Sequence, residues 1–400
     1  MEFVSELAIE GDTRIVLVVV DGLGGLPDRS TGLTELEASN TPNLDALADD
    51  SVCGLLIPVG RGITPGSGPA HIALFGYDPL RYIIGRGVLA AIGAGVDLEP
   101  TDVAARVNFC TVEDGLVTDR RAGRLATEEN ARLCALLNEI VLDGAVAHIS
   151  PEKDYRAALV LKGRGISPGV TDTDPQRTGL AALPCEPVPG AGEQARNTAR
   201  LVNEYVLKAR EILADRYPAN MIVTRGFSCL PDVPAVTDLY KMRAACVASY
   251  PMYRAVGRLV GMDVLETGDR FEEKVATVAR YWSEYDYFFI HHKPADSAGE
   301  DGDAAGKMRA IEEVDRSIVG LLSLDPDAIV VTGDHSTPAA LRSHSWHPLP
   351  LILKSRWERP DDVMEFGERS CAKGGLGAFP SRELMALLLA NALRLEKFGA

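Results

Sequence analysis

The sequence predicts an α/β protein whose main, mostly parallel sheet is interrupted by an inserted α+β unit. Three observations lead to this prediction. Apolar β-branched runs such as RIVLVVV at 14–20 are typical of strands buried on both faces, as in parallel sheets. Helical patterns alternate with such runs near both ends of the 400-residue chain. Between about 100 and 235, patterns of short strands and turns replace that alternation.

The first part of the chain begins with the 14–20 strand, which ends in DGLGG. A helical pattern covers 34–49, where Thr41-Pro42 opens a helix, and a strand follows at 51–59. The Gly- and Pro-rich segment 60–79 leads into a helix at 70–75. This alternation supports the parallel sheet.

In the middle part, strands such as YRAALVLKG surround helices at 126–141 and near 191–215. We therefore expect an inserted domain at 99–231, and a main domain formed by 1–98 and 232–400.

In the last part, helical patterns again alternate with apolar strands. It has helical patterns at 246–261, 270–283, 304–323 and 382–395. Between them lie the apolar strands of DYFFIHHKPAD, DAIVVTGDH and PLPLILK.

Composition excludes some classes of function. The net charge of −16 argues against nucleic acid, whose phosphates require a basic surface. Apolar runs are too short to cross a bilayer, so no membrane partner is expected. The acidic N-terminus lacks the layout of a signal peptide. Seven cysteines without a CxxC pair favour reduced thiols, which places the protein in the cytoplasm.

Three apolar strands run into carboxylates, namely Asp21, Asp296 and Asp334. One such residue alone is better explained as a helix cap or turn residue. Three of them beyond the carboxyl ends of parallel strands could converge, because ligands bind at that edge of an open sheet. We interpret them as part of a metal site.

Histidines strengthen that interpretation, because three of the seven lie in VTGDHSTPAALRSHSWHP at 331–348. Glu300 follows Asp296 by one helical turn, although ADSAGEDGD also fits a solvated acidic loop and fails the EF-hand pattern. Carboxylates and imidazoles are ligands for divalent cations. The candidate ligands are Asp21, Asp296, Glu300, Asp334, His335 and His344.

Two adjacent metals would suit phosphoryl transfer to a nucleophile. Ser67, in PGSGPAH before a helix, is the leading candidate, since a helix N-terminus favours an anion. Alone, a Ser between glycines is usually only a loop residue. Thr64 is a weaker rival.

Several motifs occur in order along essentially the whole chain: DGLGG, PGSGPAHIALFGYDP, DRRAGR, TDTDP, FFIHHKPAD with its acidic loop, and GDHSTP followed by HSWHPLP. Together they resemble the cofactor-independent phosphoglycerate mutases of the archaeal type, in the alkaline phosphatase superfamily. The resemblance implies an alkaline-phosphatase-like three-layer α/β/α domain, split in sequence by a smaller substrate-binding domain.

The resemblance also implies site roles. Asp21, Ser67, Asp334 and His335 match the ligands of one metal, with Ser67 as the phosphorylated nucleophile. Asp296 and His344 match the second metal. Two divalent ions are expected, with Mn²⁺ first and Mg²⁺, Co²⁺ or Zn²⁺ as alternatives.

The chain departs from the family pattern at two positions. Glu300 stands where a His is usual, and Gly68 stands where an Asp usually follows the nucleophile. Either Glu300 or His347 could complete the second metal site.

Substrate contacts are expected from basic residues, because Arg binds carboxylate and phosphate bidentately. Without the resemblance, a basic surface turn is the better explanation of TDRRAGR. Asp172 and Asp174 would orient these arginines. The candidate substrate-binding residues are Asp119, Arg120, Arg121, Arg124, Arg225, and Lys241 or Arg243.

The expected reaction interconverts 3-phosphoglycerate and 2-phosphoglycerate through a phosphoserine. The alternatives are a phosphomonoesterase, or a mutase for another small phospho-acid. A non-catalytic metal- or phosphate-binding paralogue is a further hypothesis. The oligomeric state stays open.

Overall fold

The computed structural model describes residues 2–399, which form an eight-stranded and a five-stranded sheet. The strands are β1 Ile15–Val20, β2 Val52–Ile57, β3 Val103–Glu113, β4 Leu116–Asp119, β5 Val146–Pro151, β6 Arg156–Lys162, β7 Met221–Ser228, β8 Ala244–Val247, β9 Asp263–Val264, β10 Tyr287–His292, β11 Ala328–Thr332, β12 Leu349–Ser355 and β13 Gly377–Pro380.

The helices are α1 Glu2–Leu7, α2 Glu35–Ala38, α3 Pro42–Asp49, α4 Ser67–Leu74, α5 Arg86–Gly93, α6 Thr127–Leu137, α7 Gly192–Leu213, α8 Val236–Tyr240, α9 Pro251–Leu259, α10 Phe271–Tyr281, α11 Pro294–Asp301, α12 Ala304–Leu322, α13 Glu368–Cys371 and α14 Leu384–Asn391. Among the described residues, no helix combines the length and the apolar character that a membrane span requires.

Two compact units share these elements. The first comprises Met1–Ile83 and Val233–Ala400, and the second comprises Ile84–Asp232. The first division therefore falls about fifteen residues before the predicted boundary at 98/99. The reason is that α5 packs directly on β3 and β7. Gly87 permits this close packing, because a Cβ there would lie 2.1 Å from the carbonyl oxygen of Ala104.

The sheet of the first unit has the strand order β13-β2-β12-β11-β1-β10-β8-β9. β1 lies in parallel between β11 and β10, and β10 is parallel to β8. All six residues of β1 are buried, as expected for a strand covered on both faces. The helices α2, α3, α10 and α11 pack on α12, whereas α4 packs on α9. The predicted α/β class is confirmed.

The second unit contains an antiparallel sheet in the order β4-β3-β6-β5. The fifth strand, β7, also pairs with β3 in the antiparallel direction. Its apolar core includes buried residues of α6 and α7, such as Leu133, Leu201 and Tyr205. The antiparallel strand pairing expected for the inserted segment is therefore present.

Three predicted helices differ from the structure. The pattern at 34–49 forms two helices, α2 and α3, because Pro42 starts the second one. The pattern at 246–261 contains β8 and then α9, since Pro251 occupies the first helical position. The helix expected at 70–75 begins earlier, at Ser67 itself.

Candidate active site

Three adjacent parallel strands bring the predicted carboxylates to one edge of the sheet. β1 pairs Val20 with His292 of β10 and Val19 with Thr332 of β11, so all three strands end at nearly the same level. Asp21 follows β1 directly, Asp334 lies two residues after β11, and Asp296 lies in the first turn of α11. The parallel register explains their convergence.

The first group of possible metal ligands contains Asp21, Asp334 and His335, which are all buried. His335 Nε2 lies 3.4 Å from Asp21 Oδ1 and 3.1 Å from Asp334 Oδ2. Ser67 Oγ is 3.2 Å from the same nitrogen. The predicted nucleophile therefore lies beside the predicted ligands.

Hydrogen bonds define the tautomer of His335. The Thr337 hydroxyl donates to Asp296 Oδ1 over 2.6 Å, so its oxygen accepts from His335 Nδ1 over 2.9 Å. His335 Nε2 then carries the lone pair that faces Asp21 and Ser67. Burial, together with His344 and Lys293, lowers the pKa of His335 well below its usual range. A neutral imidazole of this tautomer can bind a metal or accept a proton.

The second group contains Asp296 and His344, with His335 also close enough to contribute. His344 donates from Nδ1 to the carbonyl of Pro65 over 3.0 Å, which leaves Nε2 free to face Asp296 Oδ1 at 3.5 Å. Glu300 Oε1 lies 3.8 Å from the same Nε2, and its side chain is 55% exposed. Glu300 can thus reach this group by rotation of an exposed side chain.

His347 has other partners. Its Nδ1 lies 3.0 Å from Ser345 Oγ, and its ring stacks on Trp346 with centroids 4.9 Å apart. Of the two residues considered for the second site, Glu300 lies 3.8 Å from His344 Nε2, whereas His347 contacts Ser345 and Trp346. The geometry therefore favours Glu300.

Burial and neighbouring charges shift the pKa values of the three carboxyl groups at this edge in different directions. Burial, followed by the charges of Asp21 and Asp296, raises the pKa of Asp334 well above its usual range. Burial and Asp21 likewise raise the pKa of Asp296. Burial also opposes ionisation of Asp21, but Lys293 and His291 outweigh it and hold the pKa of Asp21 well below its usual range. A bound cation would therefore offset the repulsion between these carboxylates and stabilise their ionised forms.

The donor set fits a divalent ion. Asp21 Oδ1 and Asp334 Oδ2 are buried and accept no hydrogen bond from the described residues. An unpaired buried carboxylate oxygen is costly, and a cation would satisfy both oxygens. Two carboxylates with one imidazole suit Mn²⁺, Co²⁺ or Zn²⁺, and Mg²⁺ where carboxylates dominate.

Four residues of the site were missed in the sequence: Lys293, Tyr253, His291 and Thr337. Lys293 Nζ lies 3.2 Å from Asp21 Oδ2 and forms an ion pair with Asp296. It stands one helical turn before Asp296, so the KPAD segment carried a usable signal. Tyr253 belongs to α9, far along the chain from the ligand motifs, and no local pattern points to it.

A buried lysine joins the two loops that carry the ligands. Lys307 Nζ donates to the carbonyl of Gly24 over 2.8 Å and to that of Thr337 over 2.9 Å. Gly22 allows these loops to approach, since its φ is +68° and a Cβ there would lie 2.7 Å from Asp296 Cα. The loop positions thus depend on α12, which carries Lys307.

We expect Lys307→Met to lower the free energy of unfolding of the metal-free protein by about 3 kcal/mol, because two buried carbonyls lose their donor. Urea titration followed by circular dichroism measures this change. Lys354→Met, which removes a partly exposed ion pair with Asp50, is the control and should change little. Equal urea midpoints for the two variants would contradict the role given to Lys307.

The second unit carries a group of arginines. Arg120 binds Asp174 in a bidentate manner, with distances of 3.1 and 2.6 Å. Arg225 Nη1 lies 4.0 Å from the same carboxylate. Burial, with repulsion from Arg106 and Arg86, lowers the pKa of Arg225 to about 10. Such crowding of cations favours a bound anion.

The rest of the TDRRAGR motif forms a turn. Asp119 accepts hydrogen bonds from the backbone of Arg121 and Gly123, and Arg121 and Arg124 are exposed. Asp172 accepts from the backbone of Gly226 over 2.7 Å, next to Arg225. Asp119 and Asp172 therefore shape the backbone near the arginines.

Lys241 and Arg243, predicted as alternative substrate contacts, lie away from Asp21, and that role stays a prediction. Lys241 donates to the carbonyl of Ala8, and Arg243 pairs with Asp286 at 2.9 Å. Both precede β8, so they lie at the opposite edge of the parallel strands from Asp21. Their positions follow from β8, which the sequence pattern concealed.

The chain is similar in sequence to several known proteins and to one family model. Residues 48–220 match the family model described as 2,3-bisphosphoglycerate-independent phosphoglycerate mutase. A probable enzyme of that name from Thermotoga neapolitana is 47% identical over 401 residues, covering 100% of this chain and 99% of the relative. One from Thermus thermophilus is also 47% identical, covering 99% and 98%.

Two solved structures are similar over nearly the whole chain. The PH0037 protein from Pyrococcus horikoshii has a TM-score of 0.84 at 30% identity, covering 97% of this chain and 100% of that one. The cofactor-independent phosphoglycerate mutase from Thermoplasma acidophilum has a TM-score of 0.72 at 32% identity, covering 95% and 100%.

Proposed function

Because this chain belongs to the 2,3-bisphosphoglycerate-independent phosphoglycerate mutase family, we propose that Ser67 carries the phosphoryl group between the two hydroxyls of glycerate. The enzyme is an isomerase that interconverts 3-phosphoglycerate and 2-phosphoglycerate. The observation that supports Ser67 most directly is its 3.2 Å approach to His335 Nε2, beside Asp21 and Asp334. Ser67 is also the first residue of α4, where the helix dipole stabilises an anion.

The proposed reaction has two halves. In the first, Ser67 Oγ forms a bond to phosphorus, and the bond between phosphorus and O3 of the substrate breaks. In the second, the glycerate has turned, and its O2 takes the phosphoryl group back from Ser67. The proton lost by Ser67 in the first half goes to O3, and the proton lost by O2 in the second half goes back to Ser67, so neither water nor a second phosphate donor is consumed.

Asp21, Asp334, His335 and Ser67 would hold one divalent ion, and Asp296, His344 and Glu300 the other. The chemistry that such ions supply when bound is neutralisation of phosphoryl charge and activation of a hydroxyl nucleophile. We propose Mn²⁺ as the resident ion. Thr337 and Pro65 keep the two imidazoles in the tautomer that presents Nε2.

The arginines of the second unit are proposed to bind the acid end of the substrate. Arg120 and Arg225 are both held by Asp174, so their guanidinium groups are oriented in advance of binding. Arg121 and Arg124 are exposed and follow Arg120 in sequence. The seven cysteines of the described residues are all free, which supports the proposed cytoplasmic location.

We expect Arg225→Lys to raise KM for 3-phosphoglycerate about 10- to 100-fold, because Lys keeps the charge and loses the planar pair of donors. Steady-state kinetics measure this change. Arg196→Lys, on the exposed face of α7 in the same unit, is the matched control and should leave KM unchanged. An unchanged KM in Arg225→Lys would remove Arg225 from the substrate contacts.

The function is tested with purified protein, 3-phosphoglycerate and Mn²⁺, without 2,3-bisphosphoglycerate. Formation of 2-phosphoglycerate and release of inorganic phosphate are followed in the same sample. We expect 2-phosphoglycerate with little free phosphate. Free phosphate without 2-phosphoglycerate would identify a phosphomonoesterase with the same nucleophile, the outcome that the departures at Glu300 and Gly68 left open.

A further inference from the structure

The two oxygens of the Asp21 carboxylate have different surroundings. Oδ2 accepts a hydrogen bond from the Tyr253 hydroxyl. The same oxygen lies 3.2 Å from Lys293 Nζ and 3.2 Å from His291 Nε2. Oδ1 accepts no hydrogen bond from the described residues and faces His335. One oxygen is therefore crowded by donors, and the other is available.

Tyr253 is held rigidly in this position. It is fully buried, and its ring stacks on His291 with centroids 3.4 Å apart and an angle of 24° between the planes. The ring of His71 lies 4.8 Å from that of Tyr253. His71 in turn donates from Nδ1 to the carbonyl of Ser67 over 2.8 Å. A continuous aromatic group thus links Asp21 to the backbone of the nucleophile.

We infer that Tyr253 and His291 are positioning residues that present Asp21 to the metal through Oδ1 alone. The inference rests on the proposed function and deepens it. With the tyrosine hydroxyl, Lys293 and His291 all at Oδ2, Oδ1 is the oxygen that Asp21 offers to an ion. Ca²⁺ takes six to eight oxygen ligands and often binds carboxylates bidentately, whereas Mn²⁺ is usually octahedral and Zn²⁺ usually four-coordinate. The pair should therefore also select against Ca²⁺.

The test measures metal binding to the metal-free, full-length enzyme by isothermal titration calorimetry. We expect Tyr253→Phe to weaken Mn²⁺ binding about 10- to 100-fold, as is typical when a group that orients a ligand is removed. The ratio of the Ca²⁺ and Mn²⁺ dissociation constants should fall at least several-fold, because Oδ2 loses its hydrogen bond from the hydroxyl and becomes more accessible to an ion. A general loss of stability would not change this ratio in that direction.

Tyr77→Phe is the matched control. It removes another buried tyrosine hydroxyl of the same unit, which donates to the carbonyl of Pro234 over 2.6 Å and lies outside the ligand groups. A second variant, His291→Gln, keeps a side-chain N–H donor but removes the ring on which Tyr253 stacks, and it should also weaken Mn²⁺ binding. Circular dichroism verifies that each variant is folded.

The outcomes separate the inference from the function on which it rests. Mn²⁺ binding by Tyr253→Phe within twofold of the wild type overturns the inference alone, as does equal weakening in Tyr77→Phe. If the wild-type protein binds no divalent ion, the metal part of the proposed function fails as well. Weakened Mn²⁺ binding with an unchanged Ca²⁺ ratio would overturn the role in selectivity.

Discussion

Ser67→Ala should lower the rate of 2-phosphoglycerate formation by about 10,000-fold or more, because the other hydroxyls of the described site, those of Tyr253 and Thr337, donate to Asp21 and Asp296. The adjacent hydroxyl considered in the sequence, Thr64, is exposed and forms no part of the ligand groups. Loss of Ser67 Oγ removes the atom that accepts the phosphoryl group. The remaining site can bind substrate but cannot transfer its phosphoryl group.

The experiment compares three proteins: the wild type, Ser67→Ala and Thr64→Val. Activity is followed with 3-phosphoglycerate, and intact-mass spectrometry after brief incubation detects a single added phosphoryl group. We expect this group in the wild type and in Thr64→Val, and none in Ser67→Ala. Phosphorylation of Ser67→Ala, or activity above a few per cent of the wild type, would assign the nucleophile to another residue.

Removal of divalent ions with a chelator should abolish activity, and Mn²⁺ should restore it. Asp334→Asn is expected to reduce activity about 1,000-fold or more, because the buried Asp334 Oδ2, which no described residue pairs by a hydrogen bond, is a predicted metal ligand. Asn can still accept the 3.1 Å hydrogen bond from the backbone of Gly22, so the loop should keep its conformation. Calorimetry and kinetics at several Mn²⁺ concentrations measure the effect.

Asp315→Asn is the matched control. Asp315 is equally buried and accepts hydrogen bonds from the backbone of Asn43 and Leu44 at the start of α3, away from the ligand groups. This variant should lose stability and keep its Mn²⁺ affinity. Full activity of the chelated enzyme would contradict metal dependence.

The pH dependence of Mn²⁺ binding has a defined sign. Burial, then Asp21 and Asp296, raises the pKa of Asp334, so its proton competes with the ion over a range above the ordinary carboxyl pKa. Affinity should fall as the pH is lowered through that raised value, and calorimetric titrations at a series of pH values measure the fall. An affinity that stays constant down to the ordinary carboxyl range would contradict the raised pKa.

The sequence predicted the convergence of Asp21, Asp296 and Asp334 because each follows an apolar strand, and parallel strands align their ends. Ser67 at the start of α4, and His335 and His344 on a loop, lie at the same edge, so local motifs pointed to them. Their catalytic and metal-binding roles stay predictions. Tyr253 and His291 could not be predicted in this way, since their importance depends on strand order and side-chain stacking.

The position of Lys241 and Arg243 in the sheet was not predictable for a related reason. The four residues of β8 are followed closely by α9, and their apolar pattern merges with that of the helix. Without β8, nothing in the sequence says which end of the sheet Lys241 and Arg243 occupy. A short strand next to a helix is a case in which periodicity alone does not decide.

The central position of β1 has a consequence for synthesis on the ribosome. Its neighbours β10 and β11 are translated about 270 and 310 residues later, which at typical rates leaves β1 unpaired for roughly 15–60 s. The second unit, by contrast, is one continuous segment, Ile84–Asp232, and can fold as soon as it emerges. The nascent enzyme therefore exposes one of its most apolar strands during most of its synthesis, and IVLVVV is a segment that a ribosome-associated chaperone would shield.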